Sequence, residues 1–417
     1  MKAIIGRADN SPAEIRIPSS KSLSHRYLIA AALADGRSVI KDLADNDDIK
    51  ATMDCLRKMG AEIVREDDST YVRGTGGHLN HDGSLIDCRE SGSTLRFLLP
   101  LFAQSGRECI FTGKGRLMER PQTVYEDLYE MSLSEGQLRV RGQLKPGRYE
   151  IRGDISSQFI TGLMLLLPLL NGDSVIEVRE PFESRSYVQL TADVLAEFGI
   201  RFMFEGNTIT VPGSQKYHSV TDAVSGDDSQ AVFFAALAAL NNRKITVLGM
   251  NHDSHQGDHQ FIELFRKAGV TVKLVTGGYS FASDGFRGMK ASLKDCPDLG
   301  PMLFAMACRA TGDSHFTDVR RLRMKESDRI AAMEEELRKL GCEISSDENN
   351  VWITGKADLK GEAELDGHGD HRIVMALSVL ASSIDGETVI NGAEAVNKSY
   401  PDFFEDLKKT GAEVKLT

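Results

Sequence analysis

A unit of about 70 residues recurs six times along this chain, and few architectures accommodate such a recurrence. Each copy begins with small or hydroxyl-bearing residues, continues as a long apolar segment of helical length, and stops at Gly or Asn before a β-branched strand. Successive stops are separated by 70, 66, 70, 70 and 74 residues, so the six copies fill the 417-residue chain. The stops are Gly36, Gly106, Gly172, Asn242, Gly312 and Gly386.

A second series of glycines repeats in step with the first. Each is predicted to end an amphipathic helix, because glycine readily adopts the left-handed conformation found at helix C-termini. These glycines are Gly60, Gly136, Gly199, Gly269, Gly341 and Gly411.

The first helix of each copy is apolar almost all round, as in residues 159–170. A helix of this kind must be buried on all sides, so three of them can form the centre of a three-copy domain. The sequence therefore predicts an α/β chain of two such domains, with a boundary near residues 224–227.

Charge and composition exclude several classes of protein. The 50 basic and 61 acidic residues give a net charge of −11, which disfavours a nucleic-acid or anionic-membrane binder. The longest apolar stretch, residues 159–170, is shorter than the roughly 20 residues that span a bilayer. No apolar segment typical of a signal peptide follows Met1, and the six cysteines form no Cys-x-x-Cys pair. We therefore expect reduced thiols and a cytoplasmic location.

Basic residues cluster where the predicted elements begin. A helix N-terminus attracts anions, and parallel buried helices would aim several N-termini at one face. Solvated surface charge and simple helix capping, as by Ser156, are the ordinary alternatives, but the recurrence of the pattern favours an anion site. The basic residues are Lys21, Arg26, Arg96, Arg120, Lys325, Arg329, Arg372 and Lys398.

Seven motifs, in order along residues 4–415, resemble those of the 3-phosphoshikimate 1-carboxyvinyltransferase (EPSP synthase) family of enolpyruvyl transferases. They are Ile17-Pro-Ser-Ser-Lys-Ser-Leu-Ser-His-Arg26, Glu90-Ser-Gly-Ser-Thr-Leu-Arg96, Arg120-Pro121, Ser156-Ser-Gln-Phe159, Arg323-Met-Lys-Glu-Ser-Asp-Arg329, Asp370-His-Arg372 and Lys398-Ser-Tyr-Pro401.

The resemblance implies an α/β fold of two inside-out domains, each made of three βαβαββ-like repeats with buried parallel helices. Domain I would comprise residues 1–18 and 226–417, because the N-terminal strand joins the second half, and domain II residues 19–225. The active site is expected in the cleft between them, which we expect to close on the substrates.

The implied reaction belongs to chorismate and aromatic amino acid biosynthesis. It transfers the enolpyruvyl group of phosphoenolpyruvate to the 5-hydroxyl of shikimate 3-phosphate and releases phosphate. No cofactor or metal is expected, the partners are these two small anions, and the chain is expected to be a monomer that binds neither nucleic acid nor membrane.

The resemblance also implies the site residues. Those for phosphoenolpyruvate are Lys21, Gly92, Arg120, Gln158, Arg329, Arg372 and Lys398. Those for shikimate 3-phosphate are Ser22, Arg26, Ser156, Ser157, Gln158, Ser184, Asp298 and Lys325. The catalytic set is Asp298 at the 5-hydroxyl, Glu326 at the methylene proton, and Lys21 and Lys398 at the departing phosphate. The ordinary alternatives are a helix cap for Asp298 and a structural ion pair for Glu326.

The chain departs from the family pattern at three positions, where Arg321, Glu90 and Gly369 replace a common Asn. Because Arg321 replaces this Asn, the resemblance does not predict whether residue 321 contacts the shikimate ring. The glycine-rich loop at residues 366–370 is also unusual.

Three other functions compete with this interpretation. A UDP-N-acetylglucosamine 1-carboxyvinyltransferase would carry a reactive cysteine where this chain has Gly115. A metal-dependent hydrolase could use His252, His255 and His259, although Gly257 interrupts the helix that would align them. A non-catalytic module that binds anions or RNA ends would leave Asp298 and the Lys325-Glu326 pair without a role.

Overall fold

The computed structural model describes residues 1–356 and 358–417. They form two compact units, domain I (Met1–Pro18 and Gly226–Thr417) and domain II (Ser19–Ser225). In chain order the strands are β1 (Lys2–Ile5), β2 (Ala13–Arg16), β3 (Arg37–Lys41), β4 (Glu62–Glu66), β5 (Ser69–Arg73), β6 (Ile86–Asp87), β7 (Cys109–Thr112), β8 (Glu130–Ser134), β9 (Gln137–Arg141), β10 (Arg148–Arg152), β11 (Ser174–Arg179), β12 (Met203–Glu205), β13 (Thr208–Val211), β14 (Thr221–Ala223), β15 (Ile245–Leu248), β16 (Thr271–Val275), β17 (Gly278–Ala282), β18 (Lys290–Ser292), β19 (Asp313–Thr317), β20 (Glu343–Ser346), β21 (Asn350–Thr354), β22 (Glu364–Asp366), β23 (Thr388–Asn391) and β24 (Val414–Leu416).

The α-helices alternate between buried and amphipathic along the chain. They are α1 (Lys21–Leu33), α2 (Asp47–Lys58), α3 (Gly92–Ala103), α4 (Thr123–Glu126), α5 (Ser157–Leu166), α6 (Arg185–Glu197), α7 (Asp228–Leu240), α8 (Phe261–Ala268), α9 (Gly300–Ala307), α10 (Arg329–Lys339), α11 (His371–Ala381) and α12 (Phe403–Lys409). Short 3₁₀ helices lie at Leu117–Glu119, Leu167–Leu169, Gly257–Gln260, Pro297–Leu299, Arg320–Met324 and Ala393–Lys398.

Each repeat of the chain contributes most of one four-stranded sheet, and β14, β2 and β1 join their sheets from distant parts of the chain. The sheets of domain II have the strand orders β14-β3-β5-β4, β6-β7-β9-β8 and β10-β11-β13-β12. Those of domain I have the orders β16-β17-β15-β2, β18-β19-β21-β20 and β22-β23-β1-β24. Every sheet contains one parallel pair and two antiparallel pairs, which is the pairing of a βαβαββ repeat.

Strand β1 completes a sheet formed by the end of the chain. It pairs antiparallel with β23, Ile4 opposite Val389, and with β24, Ile4 opposite Lys415. Strand β2 pairs parallel with β15. Both strands before residue 19 therefore belong to domain I, and domain II is an insertion between β2 and α7.

The first helix of each repeat forms the core of its domain. All residues of α7, α9 and α11 are buried, and these three helices pack on one another in domain I. In domain II, α3 packs on α5 across Gly162, where a β-carbon would lie 2.1 Å from Tyr125 Oη. Only a residue without a side chain allows this approach. Among residues 1–356 and 358–417, no helix has the length and apolar character that crossing a membrane requires.

The predicted helix end at Gly136 is wrong. Glu135 and Gly136, with φ of 52° and 70°, form the two-residue turn between β8 and β9. The second helix of this copy is the short α4, which ends at Glu126. A glycine in the left-handed conformation suits a hairpin turn as well as a helix end, so the glycine spacing alone did not distinguish them.

Candidate active site

Serines cap the three buried helices of domain II. The hydroxyl oxygens of Ser20, Ser91 and Ser156 each accept a hydrogen bond from a backbone N–H in the first turn of α1, α3 and α5. For Ser156 this is the capping role that the sequence left open. Ser22 and Ser157 lie in these first turns, where the positive end of the helix dipole favours an anion. Ser184 is buried and precedes α6 in the left-handed conformation, with φ of 52°.

Lys21 is the first residue of α1 and extends to α2. Its Nζ lies 3.0 Å from Oδ2 of Asp48, and the two side chains are 15% and 6% exposed. The carboxylate therefore holds the ammonium group at the N-terminus of a buried helix. A phosphate that bound there would compete with Asp48 for the charge of Lys21.

Arg26 lies inside domain II and is 2% exposed. Its Nε donates to Thr191 Oγ1 at 2.8 Å, one terminal nitrogen donates to the carbonyl of Ser22 at 2.7 Å, and the other to the carbonyl of Tyr187 at 3.0 Å. Burial lowers the pKa of Arg26 to about 10. Any contact between Arg26 and a ligand would be additional to these bonds.

Gly92 allows Arg120 to lie directly against the start of α3. A β-carbon at Gly92 would be 2.7 Å from one terminal nitrogen of Arg120. The absence of a side chain thus makes room for a guanidinium group beside free N–H groups of a helix terminus. Arg120 also lines a cavity of about 170 Å³ beside Leu95 and Met118.

Arg96 connects the elements around Arg120. It donates to Oε1 of Gln158 on α5 at 2.9 Å and to the carbonyl of Pro121 at 2.9 Å. The amide nitrogen of Gln158 in turn donates to Ser93 Oγ at 2.9 Å. Sequence reasoning grouped Arg96 with the basic residues but gave it no role; its bonds show that it orients Gln158 and the segment after Arg120.

Asp298 is the centre of the charged group in domain I. It lies in the 3₁₀ helix that precedes α9, and it does not cap that helix. Its carboxylate accepts hydrogen bonds from Arg329 at 2.9 Å, Lys325 at 3.2 Å and Arg372 at 3.2 Å. The ordinary alternative, a helix cap, is therefore wrong for this residue.

The balance of burial and charge sets the ionisation of this group. Burial opposes ionisation of Asp298, but Arg372, Lys325 and Arg329 outweigh it and hold the pKa of the carboxyl well below its usual range. Burial also lowers the pKa of Lys325 to about 8, against the opposing effect of Asp298. At pH 7 the aspartate is ionised and the lysine mostly protonated.

Glu326 and Lys398 extend the group. A carboxylate oxygen of Glu326 lies 2.8 Å from a terminal nitrogen of Arg329, and the other lies 3.6 Å from Nζ of Lys398. The structural ion pair considered for Glu326 is therefore present. Lys398 ends the 3₁₀ helix that follows β23 and is buried.

Asp370, which the sequence indicated only as part of a motif, bonds to both Arg329 and Arg372. It caps α11 by accepting from the backbone N–H of Arg372 at 2.9 Å, and it accepts from Arg329 Nε at 2.8 Å. The guanidinium group of Arg372 donates a hydrogen bond to the hydroxyl of Ser229 at 2.9 Å. One fully buried carboxylate thus fixes the positions of two arginines.

The three departures from the family pattern lie near these groups. Arg321 is buried in the 3₁₀ helix before Lys325, and its charge contributes to the lowered pKa of that lysine. Glu90 precedes the cap of α3, and Gly369 has a φ of 63° just before α11.

The rings of His252 and His259, two of the histidines proposed as metal ligands, both pack against Tyr279. Gly257 begins a 3₁₀ helix, and His259 Nδ1 lies 3.1 Å from the buried carboxylate of Asp228. Within the described ranges 1–356 and 358–417, His252, His255 and His259 do not form a metal-ligand group; the one such group is Glu335, Glu336 and His368. The cation beside that group is Lys339, whose Nζ lies 2.8 Å from Glu336.

The fold is that of the enolpyruvyl transferases: the structure matches the crystal structure of the enolpyruvyl transferase NikO from Streptomyces tendae with a TM-score of 0.82 over 100% of this chain and 98% of the other, at 16% identity. The chain belongs to the EPSP synthase (3-phosphoshikimate 1-carboxyvinyltransferase) family, whose sequence profile matches residues 8–407.

Relatives support this assignment over nearly the whole chain. A 3-phosphoshikimate 1-carboxyvinyltransferase of Clostridium kluyveri is 39% identical over 411 residues, which cover 96% of this chain and 95% of that protein. A 2.37 Å structure of EPSP synthase from Acinetobacter baumannii matches with a TM-score of 0.81 and 25% identity over 100% of both chains. The predicted family, fold class and transferase class are confirmed.

Proposed function

We propose that this chain transfers the enolpyruvyl group of phosphoenolpyruvate to the 5-hydroxyl of shikimate 3-phosphate, giving 5-enolpyruvylshikimate 3-phosphate and phosphate. The observation that carries the proposal is the Asp298 carboxylate, which forms ion pairs with Lys325, Arg329 and Arg372. A second carboxylate, that of Glu326, also pairs with Arg329. Two carboxylates among cations suit a reaction that moves two protons between two polyanions.

Each domain supplies binding groups in this proposal. The phosphoenolpyruvate set consists of Lys21, Gly92, Arg120 and Gln158 from domain II and Arg329, Arg372 and Lys398 from domain I. The shikimate 3-phosphate set consists of Ser22, Arg26, Ser156, Ser157, Gln158 and Ser184 from domain II and Asp298 and Lys325 from domain I. Arginine gives bidentate contacts to carboxylate and phosphate, and serine hydroxyls and helix N-termini add neutral donors.

The two carboxylates would divide the proton transfers. Glu326 would be protonated in the complex with both substrates, and it donates this proton to the methylene carbon of phosphoenolpyruvate, so that the adjacent carbon becomes electrophilic. Asp298 accepts the proton of the 5-hydroxyl as that oxygen bonds to the same carbon. In the second step the C–O bond to phosphate breaks and the methyl carbon returns its proton to Glu326. The proton held by Asp298 passes to the departing phosphate, whose negative charge Lys21 and Lys398 stabilise.

The low pKa of the Asp298 carboxyl makes it a poor proton acceptor in the free protein, so Asp298 can act as the base only after the substrates have bound. In the free protein three cations share the carboxylate, which makes it a weak base. Anionic substrates compete for Lys325 and Arg372, and each cation that leaves Asp298 raises the pKa of the carboxyl toward its ordinary value. Substrate binding would thus prepare the base.

Release of inorganic phosphate from phosphoenolpyruvate, with and without shikimate 3-phosphate, tests the proposal. We expect release only with both substrates, together with a product whose mass equals shikimate 3-phosphate plus the enolpyruvyl group. Activity that required UDP-N-acetylglucosamine instead, or that was lost in excess EDTA, would favour the competing functions. Binding of both anions without turnover would contradict the proposal.

Lys21→Ala should weaken phosphoenolpyruvate binding about 30-fold, since a charge-assisted hydrogen bond contributes about 2 kcal/mol. The KM for phosphoenolpyruvate measures the effect. Thermal unfolding is measured as well, because Lys21 faces the mostly buried carboxylate of Asp48 and its loss should also lower the melting temperature. A collapse of the melting temperature with an unchanged KM would instead make Lys21 a structural residue.

Affinity for shikimate 3-phosphate should fall as pH rises above about 8, the pKa of Lys325 in the free protein. An anion favours the protonated lysine, so binding raises this pKa and takes up a proton. We expect Kd to rise about tenfold per pH unit above the pKa. Calorimetry in two buffers of different ionisation enthalpy measures the uptake. In Lys325→Arg the charge persists and the profile should be flat; an unchanged slope would assign the titration to another group.

We further propose that the protein acts as a cytoplasmic monomer on these small anions. Buried, unpaired thiols at all six cysteines support a reducing compartment. Sedimentation velocity of the purified chain tests the oligomeric state.

A further inference from the structure

The loop of residues 366–370, which joins β22 to α11, is attached to α10 at its beginning by Glu336. One oxygen of this carboxylate accepts from the backbone N–H of Asp366 at 3.0 Å, and the other lies 3.0 Å from His368 Nε2. Lys339 lies 2.8 and 2.9 Å from the two oxygens. The Glu336 side chain is fully buried although it carries a charge, so these bonds compensate its loss of water.

The backbone of the loop needs such support. His368 and Gly369 are both left-handed, with φ of 49° and 63°. This conformation is unfavourable for histidine, and it persists only where surrounding contacts enforce it. The imidazole bond to Glu336 and the bond from His368 N to Oδ1 of Asp366, at 2.6 Å, provide those contacts.

The other end of the loop is attached to the same helix through the reaction centre. Asp370 accepts from Arg329 Nε, and Arg329 precedes Glu336 by seven residues, or about two helical turns, so both side chains lie on one face of α10. The same carboxylate caps α11 at Arg372. The position of the loop therefore determines where Asp370 holds both arginines.

We propose that Glu336 and His368 are positioning residues for enolpyruvyl transfer: by fixing the loop at residues 366–370 against α10, they hold Asp370 where it orients Arg329 and Arg372 toward phosphoenolpyruvate. This inference rests on the proposed function. Neither residue contacts the substrates; both act through Asp370.

Steady-state kinetics of Glu336→Gln and His368→Ala test the proposal. We expect KM for phosphoenolpyruvate to rise about 10-fold, the effect of one lost hydrogen bond of ordinary strength, with kcat changed less than about twofold. The Kd of shikimate 3-phosphate should stay within about twofold of the parent value. His368→Gln, whose amide can donate to Glu336, should recover most of the loss.

Glu334→Gln is the matched control. Glu334 lies on the same helix and bonds to Arg338 and Ser346 but not to the loop, so this variant should keep the parent KM. A KM unchanged in both Glu336→Gln and His368→Ala, whether or not their melting temperatures fall, would overturn the inference. If the parent protein itself released no phosphate, the proposed function would fail instead, and the two failures are thus distinguishable.

Discussion

Asp298→Asn should lower kcat by about 10³-fold, because a positioned base contributes roughly 10²–10⁴ in rate and an amide cannot accept the 5-hydroxyl proton. The substitution also removes the charge that Arg329, Lys325 and Arg372 share, so these cations become more available to substrate anions. We therefore expect Kd for shikimate 3-phosphate to stay equal or fall while turnover is lost. Phosphate release in a single turnover, together with calorimetric binding, separates the two effects.

Asp313→Asn provides the matched control for that experiment. Asp313 is an exposed aspartate of domain I on β19 whose carboxylate accepts from Thr354 Oγ1 at 2.9 Å. Its variant should retain the parent kcat. A kcat within about tenfold of the parent for Asp298→Asn would mean that another group accepts the proton.

Arg329→Met should destabilise domain I by about 3–5 kcal/mol, the usual cost of removing one partner from a buried ion pair. The Arg329 side chain is 1% exposed and bonds to Asp370, Asp298 and Glu326. After its loss, the fully buried Asp370 keeps the hydroxyl of Ser327, the α11 backbone and the His371 ring, 3.7 Å away, as neighbours, but it no longer has the guanidinium group of Arg329. Urea unfolding followed by the fluorescence of Trp352, the single tryptophan, reports on this domain.

Two further variants test whether the loss of stability comes from the buried ion pair. Arg338→Met removes an arginine from the same helix whose side chain is 55% exposed, and it should cost less than about 1 kcal/mol. The double variant Arg329→Met with Asp370→Asn removes the unpaired charge and should recover part of the stability. Equal costs for Arg329→Met and Arg338→Met would show that the buried pair contributes no more than a surface pair.

The periodicity of the sequence predicted the repeats and the buried helices because both depend on local pattern. A helix that is apolar all round, such as α7, has one stable environment. Gly136 was assigned wrongly because a left-handed glycine serves two kinds of turn. A glycine in a local pattern therefore marks a turn, but it does not determine whether a helix or a strand precedes that turn.

The sequence predicted which residues belong to the candidate site, but it did not predict the hydrogen bonds between them. Resemblance to the family supplied residues such as Asp298 and Arg372, whereas their shared hydrogen bond depends on tertiary packing between elements more than 70 residues apart. The sequence did not predict the bonds by which Asp370 and Glu336 hold the loop of residues 366–370 against α10, because the sequence alone does not distinguish a buried carboxylate from an exposed one. A charged residue at a core-facing position of α10 was the one available signal for Glu336.

The placement of β1 between β23 and β24 has a consequence for synthesis on the ribosome. Domain II is continuous and can complete its three sheets as soon as residue 225 has emerged, whereas the first strand of the chain must wait for β23 and then β24. At 5–20 residues per second this delay is roughly 20–80 s. Until β23 emerges, β1 lacks both of its neighbours in the sheet, because β23 and β24 lie near the other end of the chain.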